Sequence, residues 1–417
     1  MGEPTAVNSN ANSVRQNRAV KSLHLRLDVP LLLAVASLMA FGLLMVYSAS
    51  WGASLELGDN PAYFFTNQLR WAIVGSAAMV GLSLVDYHRW RRLMVPMMLV
   101  TLIMLVLVLV TGETRLNARR ALFGGSVQPS EMAKLAIIVY LAFWLYSKRE
   151  MINNITFGLL PMAAILGITG GIILAQPDLS AVLTILIMGG LMFFLAGVDW
   201  KQVLIIVIVA GLLGWLLVTV MPTGKARLEP YLAGLRDPVE ASYHVQRSLE
   251  SVVRGGVFGV GIGRGATKFT GLPVAHTDSI FAVIAEETGL IGAAGIILLY
   301  MVVLWRGLKI ASHAPDLLGK LLAAGCTLWI VLEATINMGV MVNLLPFAGN
   351  ALPFISAGGS SLITCLAAIG LIMSVARVSN RTSTPEQGRP FSAVVDLRRR
   401  NGRRSVSGAR RSAIPRE

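Results

Sequence analysis

The sequence predicts an all-α polytopic membrane protein: ten transmembrane helices, with one long extracytoplasmic loop between the seventh and the eighth. Three observations predict it. The 417 residues are 55% hydrophobic and only 14% charged, and the mean hydropathy is +0.67, whereas soluble domains carry about a quarter charged residues. The apolar residues gather into runs of about 20, the length that crosses a bilayer core of about 30 Å. Lysine and arginine fall in alternate connections between those runs, as the positive-inside bias requires.

The runs lie near 29–49, 70–86, 93–111, 129–147, 156–176, 179–198, 201–221, 279–305, 318–343 and 353–377. The leader, 1–28, is polar and lacks a small-residue cleavage site before the first run, so that run reads as a retained helix. The second run is short and reads as tilted or distorted. No repeat of fixed period appears.

Orientation follows from the short loops. Arg89, Arg91 and Arg92 follow the second span, Lys148 and Arg149 the fourth, and Arg306, Lys309 and Lys320 border the eighth and ninth. The leader carries Arg15, Arg18, Lys21 and Arg26, and eleven arginines lie from Arg377 onward. All share one side, so both termini are expected in the cytoplasm of a multi-pass cytoplasmic-membrane protein. The tail 378–417 is rich in Ser, Gly and Arg, is expected to be disordered, and suits anionic lipid. A net charge of +14 would otherwise invite a nucleic-acid partner, but it sits where topology wants it, so none is expected. Cys326 and Cys365 fall inside apolar runs, which excludes a disulfide framework and a cysteine metal site.

Two outer segments break the charge rule. The loop 112–128 keeps Arg115, Arg119 and Arg120, and the loop 222–278 keeps Lys225, Arg227, Arg236, Arg247, Arg254, Arg264 and Lys268. An anionic partner outside is the simplest reason.

Carboxylates and glycines supply the motifs. "QPSEMAKL" opens the fourth span: Gln128 and Pro129 suit a helix start, and Glu131 and Lys134 are i,i+3 neighbours, an intramembrane pair expected to face a polar cavity. Asp178 in "AQPDLSAVL" caps the sixth span or lines the site, with even weight. "GGVFGVGIGRGATKF" (255–269) follows no predicted strand, so a phosphate-binding loop is a poor reading and close backbone approach to a helix or ligand a better one. "LPFISAGGSSL" (352–362) suits tight helix packing. In "PVAHTDSIFAVIAEETG", Asp278 stands at the mouth of the eighth span, where it either caps the helix or does chemistry. Glu286 and Glu287 point about 100° apart, so they cannot share one face; they read as structural or cavity-lining.

Taken in order, "MVYSAS" (45–50), "YFFTNQLRW" (63–71), "QPSEMAKL", "QPDL", "GGVFGVGIG", "LPVAHTDSIFAVIAEETGLIG" and "LPFISAGGSSL" resemble the SEDS family (shape, elongation, division and sporulation) over about 28–377, its division branch ahead of its elongation branch. The resemblance implies ten transmembrane helices and a peptidoglycan glycosyltransferase that polymerises lipid II outside the cytoplasmic membrane. It implies a class B penicillin-binding protein as transpeptidase partner, among other divisome proteins. The family's essential acid maps to Asp278, and its two outer cations to Arg120 and Lys268. Five positions depart from the family pattern: Val274 stands where it has Glu, Ala357 where it has Tyr, Asn117 and Ala121 where it has Gly and Trp, and Ala348 where some division members have Lys.

On this reading Asp278 is the base that takes the acceptor hydroxyl proton. Arg119, Arg120, Arg227, Lys268 and Lys134, with His276, Ser356 and Ser360, are the candidates to bind the pyrophosphate-linked substrate. A divalent cation could share the pyrophosphate, although the sequence offers no ligand set for one. The rivals are a lipid II flippase, which would use a polar cavity lined by Lys134, Glu286 and Glu287, an elongation-type polymerase, and a scaffold without catalysis.

Overall fold

The computed structural model describes residues 28–56, 60, 62–111, 113–115, 118–121 and 128–382. Nearly all of the leader and most of the tail lie outside the described residues. Helix α1 runs Val29–Glu56, α2 Tyr63–Leu84 and α3 Met94–Thr111. A small antiparallel hairpin follows, β1 Glu113–Arg115 and β2 Ala118–Ala121. Then come α4 Pro129–Ser147, α5 Leu160–Leu174, α6 Leu179–Leu195 and α7 Trp200–Val220. The final spans are α10 Ile280–Ser312, α11 Leu317–Met341 and α12 Gly359–Thr382. Among the described residues, eight helices are long and apolar enough to cross a membrane. The second and sixth expected spans correspond to α2 and α6 but are not among the eight. Helix α6 has 17 residues, and α2 begins seven residues earlier than its apolar run because Asn67, Gln68 and Arg70 belong to its first two turns. The chain is a multi-pass membrane protein of predominantly helical fold.

Helices α12, α11 and α4 form the centre, with 83%, 72% and 67% of their spanning residues buried against 0% for α7. Their facing side chains, Ile137, Leu141, Trp329, Cys365 and Leu366 among them, form one apolar core. Helix α7 lies at the edge and presents Leu212, Trp215 and Val220 outward, which costs nothing where the solvent is lipid.

The segment 222–278 is ordered: α8 spans Pro222–Gly234 and α9 Tyr243–Gly255. Val245, Ser248, Ser251 and Gly255 form the buried stripe of α9 at helical spacing, facing α10. The glycine-rich stretch after α9 then intrudes on α10 itself. Helix α10 breaks at Gly289 (φ 67°, ψ −169°), and the stretch takes up the hydrogen bonds the break releases. Val260 N–H donates to Glu286 O and Gly261 N–H to Glu287 O, both at 3.0 Å, while Leu290 N–H donates to Gly256 O at 3.0 Å. A Cβ at Gly259 would overlap the Glu287 carbonyl, so the glycines serve close approach to a helix, one of the two readings their composition allowed.

Candidate active site

Asp278 lies in the turn 273–279 that leads into α10. The cap position of that helix is Ser279, whose side chain makes no cap bond. Thr277 N–H donates to Val274 O at 3.0 Å and Ser279 Oγ to Pro273 O at 2.9 Å, closing the turn. Val274 sits at φ 46°, a left-handed conformation costly for a β-branched residue.

Two other segments hold the turn in place. From the stretch before α12, Ser356 Oγ donates to Thr277 O (2.7 Å) and Ala357 N–H to His276 O (2.9 Å). From α11, Asn337 Nδ2 donates to Asp278 O (2.8 Å) and to Asn350 O (2.6 Å). The Asp278 carboxylate lies over Gly349, where a Cβ would stand 3.0 Å from Oδ2. Asp278 itself is half-buried. The His276 ring packs on Phe64 at 4.4 Å, and burial pulls its pKa below the ordinary imidazole value.

An apolar groove opens beside the stretch 342–358 that backs this turn. Leu183, Ile187, Val218 and Phe347 line it, with Ser180, Arg227 and Asn350 as its polar members. The Arg227 guanidinium stands 5.9 Å over the Phe347 ring. Among the expected cations whose side chains are described, Arg227 is the one set next to the segment backing Asp278.

The other expected contacts are placed differently. Arg119 and Arg120 have their backbone in β2, Arg119 opposite Thr114, but their side chains lie outside the described ones. Lys268 was expected to meet pyrophosphate, yet its side chain is 2% exposed and paired with Glu287 Oε1 at 2.6 Å. Its Nζ also donates to Ser48 Oγ at 2.8 Å, so its charge is already spent. Lys134 was likewise expected at the substrate. It is buried between Glu131 Oε1 (2.8 Å) and Glu333 Oε1 instead.

Ser356 and Ser360, also expected at the substrate, are engaged within the protein. The Ser356 hydroxyl, besides its bond to Thr277, accepts from Leu352 N–H at 2.7 Å. Ser360 Oγ accepts from Gln128 N–H at 2.9 Å, fastening the start of α4 to α12. Both hydroxyls hold the framework.

Asp178 does cap: its Oδ1 accepts from Ala181 N–H at 3.3 Å and from Ser180 Oγ at 3.0 Å. Glu286 accepts from Ala266 N–H at 2.9 Å and from the Thr267 hydroxyl. Glu287 accepts from Gly263 N–H at 2.9 Å and Ser48 Oγ at 2.7 Å. Both glutamates thus anchor the stretch 263–268, and the single polar cavity expected to join them to Lys134 is not formed: they and Lys134 belong to separate networks.

Two residues that sequence reasoning missed complete the picture. Glu333 could have been found as a lone acid inside the ninth apolar run. Asn337, one turn further along α11, carries no comparable signal. Among the described residues no group of three or more His, Cys, Asp or Glu is placed to hold a metal. The donor set here does not fit a protein-held cation.

The profile of the FtsW/RodA/SpoVE family, described as cell cycle protein, matches residues 29–381. A relative from Trichlorobacter lovleyi, named as a probable peptidoglycan glycosyltransferase FtsW, is 37% identical over 84% of this chain and 92% of its own length. A solved structure described as showing structural coordination of polymerization and crosslinking by a peptidoglycan synthase complex is similar with a TM-score of 0.71 and 28% identity, covering 85% of this chain and 98% of that one. The crystal structure of the rod shape determining protein RodA from Thermus thermophilus gives a TM-score of 0.63 at 27% identity over 85% of this chain and 98% of its own.

Proposed function

Because the chain belongs to the FtsW/RodA/SpoVE family of cell cycle proteins, we propose that it is a peptidoglycan glycosyltransferase. It polymerises lipid II into β-1,4 glycan at the outer face of the cytoplasmic membrane during cell division, with Asp278 as general base. The observation that carries the assignment of the base is the Asp278 turn. Its carboxylate lies against Gly349, and its backbone is fastened by α11 and by the stretch before α12. That degree of fixation suits a group whose position sets a reaction rate.

The Asp278 carboxylate accepts the proton of the acceptor 4-hydroxyl as that oxygen attacks the anomeric carbon of the donor sugar. The bond from that carbon to the pyrophosphate oxygen breaks on the opposite face, and the undecaprenyl pyrophosphate leaves with the electron pair. One in-line displacement inverts the α-linked donor to a β-linked product, so one base suffices and no covalent sugar–enzyme intermediate is needed. Arg227 is set to receive pyrophosphate, and the groove beside it, walled by Leu183, Ile187 and Val218, suits the polyprenyl chain. Arg119 and Arg120 are assigned to the same anion.

The partner is a class B penicillin-binding protein, whose transpeptidase would crosslink the strand, working among other divisome proteins; the likeness to a polymerizing and crosslinking complex supports this. Both termini and the tail lie on the cytoplasmic side, as the charge of the short loops favours, with 222–278 outside. Lys134, Glu286 and Glu287 are spent in separate buried networks, which favours the polymerase over the flippase.

The test is polymerisation of purified lipid II by this chain in complex with a partner whose transpeptidase serine is replaced. Glycan strands are expected. Their absence, with translocation of lipid II in proteoliposomes, would move the function to a flippase.

A further inference from the structure

Asn337 is fully buried in α11, where an unpaired amide would be expensive. An amide nitrogen carries two hydrogens, and both are used: one on Asp278 O at 2.8 Å, the other on Asn350 O at 2.6 Å. The two carbonyls belong to separate segments, the turn 273–279 before α10 and the stretch 342–358 before α12. Both segments shape the surroundings of the Asp278 carboxylate. The first carries it, and the second supplies Gly349, which it lies against. One side chain thus fixes the acid and the wall behind it relative to each other.

We propose that Asn337 is a positioning residue for Asp278, setting the carboxylate in place through this forked amide. The inference rests on the reading of Asp278 as the base. Asn337 is placed to do this because the helix beneath it is itself held. Glu333, four residues earlier and on the same face of α11, is locked to Lys134 of α4, and Lys134 to Glu131. The chain of contacts runs from the start of α4 through α11 to the Asp278 backbone. Asn337 Oδ1 and Asn350 Nδ2 are both buried without a hydrogen-bond partner. A side chain present for stability alone would leave fewer such atoms unmatched.

The experiment compares wild type, Asn337→Leu and Asn337→Gln in complex with the transpeptidase partner, using lipid II as substrate, with thermal melting of each. Leucine is close in size and has no donors. Glutamine keeps both donors one methylene further out. Displacing a catalytic group by about 1 Å costs on the order of 10²-fold in rate. Measured well below the melting temperature of each form, Asn337→Leu should therefore lose about that much kcat with KM for lipid II unchanged. Its melting should drop only modestly, from the two stranded carbonyls, and Asn337→Gln should recover part of the kcat loss.

A wild-type kcat in Asn337→Leu overturns the inference. So does a loss that follows a lowered melting temperature and is not relieved by glutamine, because Asn337 would then be only a structural clip. Asp278→Asn run alongside separates the two ideas. If it is inactive while Asn337→Leu is fully active, only the positioning role falls. If Asp278→Asn is active, the base assignment falls and this inference with it.

Discussion

Replacing Lys134 with methionine removes the one cation from a buried group of three charges. Lys134 is 5% exposed and Glu333 1% exposed at the side chain, so water cannot substitute for the missing partner. Two unit charges 2.8 Å apart attract by about 6 kcal/mol at an effective dielectric of about 20, and much of that is offset by desolvation. Breaking a buried pair by deleting one partner costs about 3–5 kcal/mol, because the other charge is left uncompensated. Lys134→Met leaves two carboxylates in that position and should lower the melting temperature by on the order of 5–10 °C. Glu333→Gln leaves Lys134 and Glu131 balanced one to one, and should cost only about 1 kcal/mol, the value of one hydrogen bond. The double variant should fall between the two. Melting of the detergent-solubilised protein measures this directly. If Lys134→Met melted like wild type yet lost polymerisation, the lysine would belong to the substrate site and the framework reading would be refuted.

Lys268→Met should also destabilise, by about 3–5 kcal/mol, since it strands Glu287, and Lys268→Met/Glu287→Gln should recover part of that; equal melting of all three forms would return Lys268 to the substrate. In the connection after α2, burial pulls the His88 pKa down, but bonds to Asp86 and Asp316 outweigh it and the net shift is upward. Its stabilising effect is therefore complete below about pH 6.5 and is lost as pH rises through the raised value. Wild type should accordingly lose more melting temperature between pH 6 and 8 than His88→Gln, and parallel curves would contradict the assignment. For topology, Val239→Cys (76% exposed) should react with an impermeant thiol reagent in intact cells, and Ser312→Cys only after permeabilisation. Cys326 and Cys365 are buried and add little background; the reverse pattern would invert the protein and remove Asp278 from the outer face.

The parts of the fold that are properties of contiguous residues were legible in the sequence. Apolar runs mark the spans, the loop arginines suggest their direction, and Pro177-Asp178 marks the start of α6. What escaped depends on contacts far apart in the chain. Glu287 meets Ser48 across 239 residues, and Lys134 meets Glu333 across 199; no periodicity records either pairing. Lys134 and Lys268 were therefore expected at an external anion, although each already has an internal one. The break in α10 was hidden for the same reason. Gly289 inside an apolar run reads as continuous helix until the stretch 256–261 is seen to occupy the released hydrogen bonds. Asp278 stood out at the edge of its run and by its match to the family's acid, and the structure adds the backbone bonds that hold its turn.

The central claim is that Asp278 is the base, and the rate of lipid II polymerisation by Asp278→Asn with its partner tests it most directly. Asparagine keeps the size of the side chain and leaves the backbone bonds from Asn337 in place, but it accepts no proton. A positioned general base contributes about 10²–10⁴-fold, so the account predicts no detectable glycan from a protein that melts like wild type. A rate above about a tenth of wild type would contradict it.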